Sequence, residues 1–140
     1  MTRRIVPVYA AKRAVFLCLI LAQVAHSTEE YVTKLYAVFA PARFVSSLFS
    51  SDLSVGFLLA NTAVVVFGLW CWAFPVRSGW RTATVFVWFW AILELANGTT
   101  HLLLAVARRG YFPGIATAPL LLFFGAWLAV LQLRETTAQE

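Results

Sequence analysis

Residues 14–39 read AVFLCLILAQVAHSTEEYVTKLYAVF. The stretch opens on twelve uncharged residues, Ala14–Ala25, and then runs through His26, Glu29, Glu30 and Lys34 without losing its apolar frame. At 1.5 Å per residue a helix of this length crosses the ~30 Å hydrocarbon layer of a bilayer. The fold turns on whether these polar groups end a membrane helix or are carried inside one.

The rest of the chain answers in favour of a membrane helix. Of 140 residues, 61% are hydrophobic and 12% charged, with a mean hydropathy of +0.80. Ordinary soluble domains carry about 25% charged residues and about 45–50% apolar ones. Three more apolar segments follow, at about 55–74, 82–107 and 114–133. With 14–39 they predict one all-α domain over 1–140, a four-helix bundle in the membrane with up-down topology and short loops. The separators are APARFVSSLFSSD, FPVRSGWR and RRGYFPG.

Arg3, Arg4, Lys12 and Arg13 ahead of an apolar run also resemble a signal peptide. Cleavage after Ala25 would place Gln23 at the −3 position, where a small residue is needed, so an uncleaved first helix is expected. One side of the membrane would hold Arg3, Arg4, Lys12, Arg13, Arg77, Arg81 and Arg134, and the other Lys34, Arg43, Arg108 and Arg109. Seven against four puts both termini in the cytoplasm. Trp70, Trp72, Trp80 and Trp127 then fall near the cytoplasmic interface, as anchors do. The net charge of +5 lies between and beyond the spans rather than on a soluble surface, so nucleic acid is not an expected partner. Cys18 and Cys71 sit in apolar runs and read as free thiols.

Both histidines and half of the six acidic residues fall inside the predicted spans. A charge at mid-bilayer costs at least ~2.5–3.5 kcal/mol, so such groups need partners and usually mark function. His26, Glu29 and Glu30 share one helical face, as do Glu94, Asn97 and His101. Counted from Arg13 and Arg81, His26 and Glu94 both lie ~20 Å up their helices. Asn61 lies ~10 Å below the outer face, and Thr117 is placed at the rim. A single polar pocket in the outer half of the bilayer is predicted. Gly98 and Thr99 leave room for a neighbouring helix.

The motif HSTEE resembles the His-x-x-Glu-Glu signature of the HXXEE family of small, largely uncharacterised bacterial membrane proteins. NGTTH and GYFPG are similar to that family's second half. The resemblance covers the chain from His26 to the fourth span. It implies a shared site and a multi-pass protein of the bacterial inner (plasma) membrane, but no particular reaction.

Two imidazoles and up to three carboxylates, His26, Glu29, Glu30, Glu94 and His101, suit a divalent ion such as Zn, Mn or Fe. His26, Glu29, Glu94 and His101 are the expected catalytic groups of a membrane enzyme acting on a lipid-soluble small molecule, with Asn97 and Asn61 in support. The same residues suit a metal-free acid–base isomerase or cyclase, with Phe86, Trp88, Phe89 and Trp90 as apolar walls. A third reading is a proton- or ion-coupled transporter, or a subunit of a larger membrane complex. Membrane lipid is the expected surrounding partner, and an oligomer is compatible with the chain. The plainest reading pairs His26 with Glu94, Glu29 with His101 and Glu30 with Lys34, so that polar groups only join helices. Because Lys34 lies at i+4 from Glu30, Glu29 and Glu94 are expected to be the working carboxylates.

Overall fold

The computed structural model describes residues 5–137, with side chains from Tyr9 onward; Arg3, Arg4 and Glu140 lie outside the described residues. Six α-helices follow in order: α1 (Ile5–Val32), α2 (Leu35–Val38), α3 (Ala40–Phe49), α4 (Leu53–Cys71), α5 (Ala83–Arg108) and α6 (Ala118–Thr137). No strand occurs among the described residues. Four segments are long and apolar enough to cross a membrane: Tyr9–Val32, Leu53–Val76, Ala83–Arg108 and Ala118–Thr137. Helices suit such segments because each satisfies its own backbone where water is absent.

The expected first span, 14–39, is not one helix. Lys34 takes a left-handed conformation, φ 58°, and α1 stops at Val32. The Thr33 hydroxyl donates to the Glu29 carbonyl at 2.6 Å and closes the last turn. Residues 35–49 then form α2 and α3 instead of more span. The fourth span also shifts. Residues 113–117 are a turn, and α6 begins at Ala118 rather than at 114. The second span keeps going past its last α turn as a π turn, Trp72–Val76, around Pro75. Proline lacks an N–H and its ring crowds the turn before it, which widens the helix there.

Asp52 caps α4, accepting from the Ser54 and Val55 amides at 2.8 and 3.3 Å. A bond from the Ser54 hydroxyl, with these amides, holds its carboxyl below the usual carboxylate range. Close approach of α3 to α4 requires Gly56, because a Cβ there would lie 2.0 Å from the Ser46 carbonyl oxygen.

The middle of the bundle is a dry layer in which Phe16, Leu19, Ile20, Val87, Trp90 and Leu128 are fully buried. Outside it, Leu21, Leu58, Val66, Ile92, Leu103 and Val106 are exposed on helix after helix. Water would not tolerate so much exposed apolar surface, whereas lipid tails accept it. In lipid the helices are held by close packing and polar contacts rather than by the hydrophobic effect. Gly98, expected as a close-approach point, meets Leu122 and the Ala118 carbonyl of α6.

The start of α1 meets the end of α6, where Lys12 donates to Gln132 Oε1 at 3.2 Å and pairs with Glu135. It also meets the end of the α4 segment, where the Tyr9 hydroxyl donates to the Val76 carbonyl at 3.2 Å. Trp72, expected as an interface anchor, donates from Nε1 to the Arg13 carbonyl at 3.0 Å. The far ends of α1 and α5 come together with the 111–117 loop, and the histidines are there.

Candidate metal centre

His26, Glu30 and His101 converge in the interior, with exposures of 0%, 6% and 3%. Glu30 Oε1 lies 3.3 Å from His26 Nε2 and 3.1 Å from His101 Nε2. The two rings meet edge to face, with centroids 4.6 Å apart. One ligand atom from each of the three residues lies within 4.8 Å of the others. His26 and Glu30 reach this point because i and i+4 share a helix face. His101 reaches it from α5.

The hydrogen bonds on the far side of each ring decide where its proton sits. His101 Nδ1 lies 2.5 Å from the Pro113 carbonyl oxygen, which can only accept. Nδ1 therefore carries a hydrogen, and Nε2 is the nitrogen turned toward Glu30, a lone pair when the ring is neutral and a donor when it is charged. His26 Nδ1 lies 2.8 Å from Thr117 Oγ1. The Thr117 hydroxyl has one hydrogen, and it donates to Glu29 Oε2 at 2.6 Å. Thr117 Oγ1 thus accepts from His26 Nδ1, which leaves Nε2 of that ring turned toward Glu30 as well. Two imidazole Nε2 atoms and a carboxylate oxygen face one another inside the bundle, and with neutral rings all three are acceptors.

The 111–117 loop makes this arrangement. Gly114 has φ +91°, and a Cβ on it would lie 2.6 Å from His101 Nδ1 and 2.7 Å from His26 Cε1. Both the conformation and the space demand glycine. Glu29 ties the loop to α1 through four donors: the Tyr111 hydroxyl at 2.5 Å, the Ala116 and Thr117 amides at 3.1 and 2.9 Å, and the Thr117 hydroxyl. Burial and the bond to Glu29 raise the Tyr111 phenol above its ordinary value.

The expected pairing of Glu30 with Lys34 is not formed. The break at Lys34 takes that side chain off the i, i+4 track and leaves it exposed. Glu30, not Glu29 or Glu94, is the carboxylate between the histidines. The pairings of His26 with Glu94 and of Glu29 with His101 are likewise absent from the ion pairs of the described residues. Glu29 instead holds the loop, one step behind His26.

Glu94 is 1% exposed, and neither of its oxygens has a hydrogen-bond partner among the described residues. Asn97, half-buried, lies one turn further along the same face of α5. Asn61 stands apart from the three ligand candidates. It accepts from Ser27 Oγ at 2.7 Å and donates to the Phe57 carbonyl at 3.0 Å. The expected aromatic walls belong to other layers. Trp90 is sealed in the dry core against Phe16, Phe86 and Phe89 pack on Phe67, and Trp88 is half-buried.

Helix-face reasoning found the histidines and glutamates but passed over Tyr111, Pro113 and Gly114, which act through a loop. GYFPG was the available signal, since a glycine beside a proline marks a turn that a helical period does not describe.

Neither the curated proteins nor the solved structures contain a match to this chain. Residues 17–128 match the model of a family described as "Protein of unknown function with HXXEE motif", whose motif here is His26-Ser27-Thr28-Glu29-Glu30. The chain belongs to the HXXEE family.

Proposed function

We propose that this protein is a membrane-embedded, metal-dependent enzyme acting on a lipid-soluble substrate, with His26, Glu30 and His101 as the ligands of a divalent ion. The observation that carries the reading is the convergence of two imidazole Nε2 atoms and a carboxylate oxygen on one buried point. Neutral imidazoles that face a carboxylate with their acceptor sides repel it. A proton on one ring relieves one of the two contacts; relieving both takes a proton on each ring, two positive charges beside one carboxylate, or one cation at the centre. Ligating histidines commonly donate their other N–H to a carbonyl or to a carboxylate-linked group. His101 does so to Pro113 and His26 to the Thr117–Glu29 pair.

Nitrogen and carboxylate donors suit Zn, Mn or Fe. Three protein ligands leave a coordination position open, the pattern of catalytic rather than structural sites. Such an ion would supply Lewis-acid chemistry. Its two charges, less that of Glu30, leave one positive charge in a dry interior, and an ionised Glu94 would balance it. Glu29 and Thr117 orient His26, and Pro113 orients His101.

The reading includes an up-down bundle with both termini in the cytoplasm of a bacterial inner membrane. The meeting of Lys12 with Gln132, and of His26 with His101, supports the up-down course. The lysine and arginine count supports the orientation.

Elemental analysis of the purified full chain is the test. About one ion per chain is expected in the wild type and background in His26→Ala and His101→Ala. Less than about one ion per several wild-type chains would sink the reading.

A metal-free acid–base enzyme is the second reading, favoured by the unpartnered carboxyl of Glu94. Glu94→Gln separates the two. Under the metal reading it weakens metal binding by about tenfold without lowering the stability of the metal-free protein. Under the acid–base reading it abolishes turnover and leaves metal content untouched. A transport path has less support, since Trp90, Phe16, Ile20 and Val87 fill the interior below Glu94.

A further inference from the structure

A groove of about 370 Å³ runs along the lipid-facing seam between α1 and α4. Most of its wall is apolar, including Val24, Phe57, Leu58 and Val65. Its polar part is a ladder joining the two helices. Gln23 Nε2 donates to Ser27 Oγ at 3.0 Å, and Ser27 Oγ donates to Asn61 Oδ1 at 2.7 Å. The one hydroxyl hydrogen of Ser27 is thereby used. Asn61 differs. Of its two amide hydrogens one goes to the Phe57 carbonyl, and the other has no bond to protein among the described residues. Asn61 lines the groove and is partly exposed, so an N–H donor stands in an otherwise greasy channel.

The medium outside this seam narrows the occupant. α1 and α4 both have the length and composition of membrane spans, so the groove opens onto hydrocarbon chains rather than water. An unpaired amide hydrogen in such a medium favours any chain that brings an oxygen to it. The volume lies at the small end of ligand pockets, ~300–1,000 Å³, which fits one chain rather than two. Ser27, next to His26 in the chain, shares a helical turn with His26 and Glu30, so the polar end of the groove lies at the height of the metal candidates.

We propose that this groove binds a single-chain lipid whose first oxygen accepts from Asn61.

The test uses the full chain in lipid nanodiscs and two photoreactive probes. One is a C16 monoacylglycerol bearing a diazirine in its chain, and the other is a diazirine-bearing hexadecane without oxygen. Peptide mass spectrometry maps the label. Label from the monoacylglycerol is expected to concentrate in residues 24–31 and 57–66. Filling the groove with Val65→Trp, or independently with Thr62→Trp, lowers that label by about tenfold. Asn61→Leu lowers monoacylglycerol labelling several-fold and leaves hexadecane labelling unchanged. Helical content and chromatographic homogeneity confirm that each variant is folded.

Label spread evenly over all four spans, or unaffected by both tryptophan variants, overturns the proposal. Equal labelling by the two probes in the wild type overturns the role given to Asn61. Metal content is measured on the same samples. A labelled groove in a metal-free wild type fails the metal reading while the groove stands, and a metal-loaded protein with an unlabelled groove does the reverse.

Discussion

Two buried polar clusters lie at opposite ends of this bundle, and their hydrogen bonds balance differently. At one end the Lys12 ammonium, 2% exposed, meets Gln132 Oε1 and the Glu135 carboxylate. Donors meet acceptors there, a positive charge meets a negative one, and the contact is complete. At the other end two imidazole Nε2 atoms meet a carboxylate oxygen. With neutral rings acceptors meet acceptors, and the cluster is complete only with a cation or with a proton on each ring. Both ends carry charge into a low-dielectric interior, which is costly in either case. The first offsets that cost within the chain and reads as a lock between α1 and α6. The second does not, and reads as a site.

The contrast is easiest to break at the lock. Removing one partner of a buried pair strands the other, so Lys12→Ala should destabilise the protein by about 3–5 kcal/mol. Replacing both partners with apolar groups, Lys12→Met with Glu135→Leu, should recover most of that loss. Neither change should alter metal content. Denaturation in detergent together with elemental analysis checks both, and a loss of metal in Lys12→Ala at full folding would show that the two ends are not independent.

The next effect falls on the site. Gly114→Ala puts a methyl group against both histidine rings and asks for a left-handed alanine. Metal affinity should fall by about 100-fold, as a large disturbance of outer-shell support does, with helical content unchanged. Glu29→Gln is milder. It keeps the size of the side chain but weakens the bond that fixes the Thr117 hydroxyl, so a loss of about tenfold is expected by metal titration. A variant that binds metal as the wild type does would mean that Glu29 only fastens the loop.

The smallest effect is at Tyr111. Its phenol is raised above the usual value of about 10 in the folded state, by burial first and by its bond to Glu29. A group raised on folding contributes stability that is full below its unfolded pKa. That contribution is lost as pH rises through the folded value. Unfolding measured from pH 8 to pH 11 should therefore show a decline in the alkaline range that Tyr111→Phe removes. The variant should cost less than ~1 kcal/mol at pH 8, because the side chain is more than half exposed and water competes for its bond.

Much of this was legible along the chain. Four apolar runs and the helical faces of His26/Glu30 and Glu94/His101 follow from spacing, but counting rise per residue levels His26 with Glu94, whereas it is His101 that meets His26. The pairing of Glu30 was not legible. Lys34 stands four residues on, and only the left-handed turn at Lys34 removes it from Glu30. The separation of Glu29 from Glu30 was hidden for a related reason. Adjacent residues point about 100° apart on a helix, and what lies on each side depends on the neighbouring helix and loop. Glu29 looks to the 111–117 loop and Glu30 looks to α5.

Composition and periodicity alone determined that this chain forms membrane-length helices and that both histidines and three of its glutamates fall inside them, because hydrocarbon thickness and helical rise leave little choice. Which nitrogen of each histidine carries its proton was decided only by the tertiary structure. That choice belongs to the Pro113 carbonyl and to Thr117, which reach His101 and His26 from a loop 12 and 91 residues away in the chain. No local pattern encodes a contact of that kind, and it is this contact that turns Nε2 of both buried histidines toward Glu30.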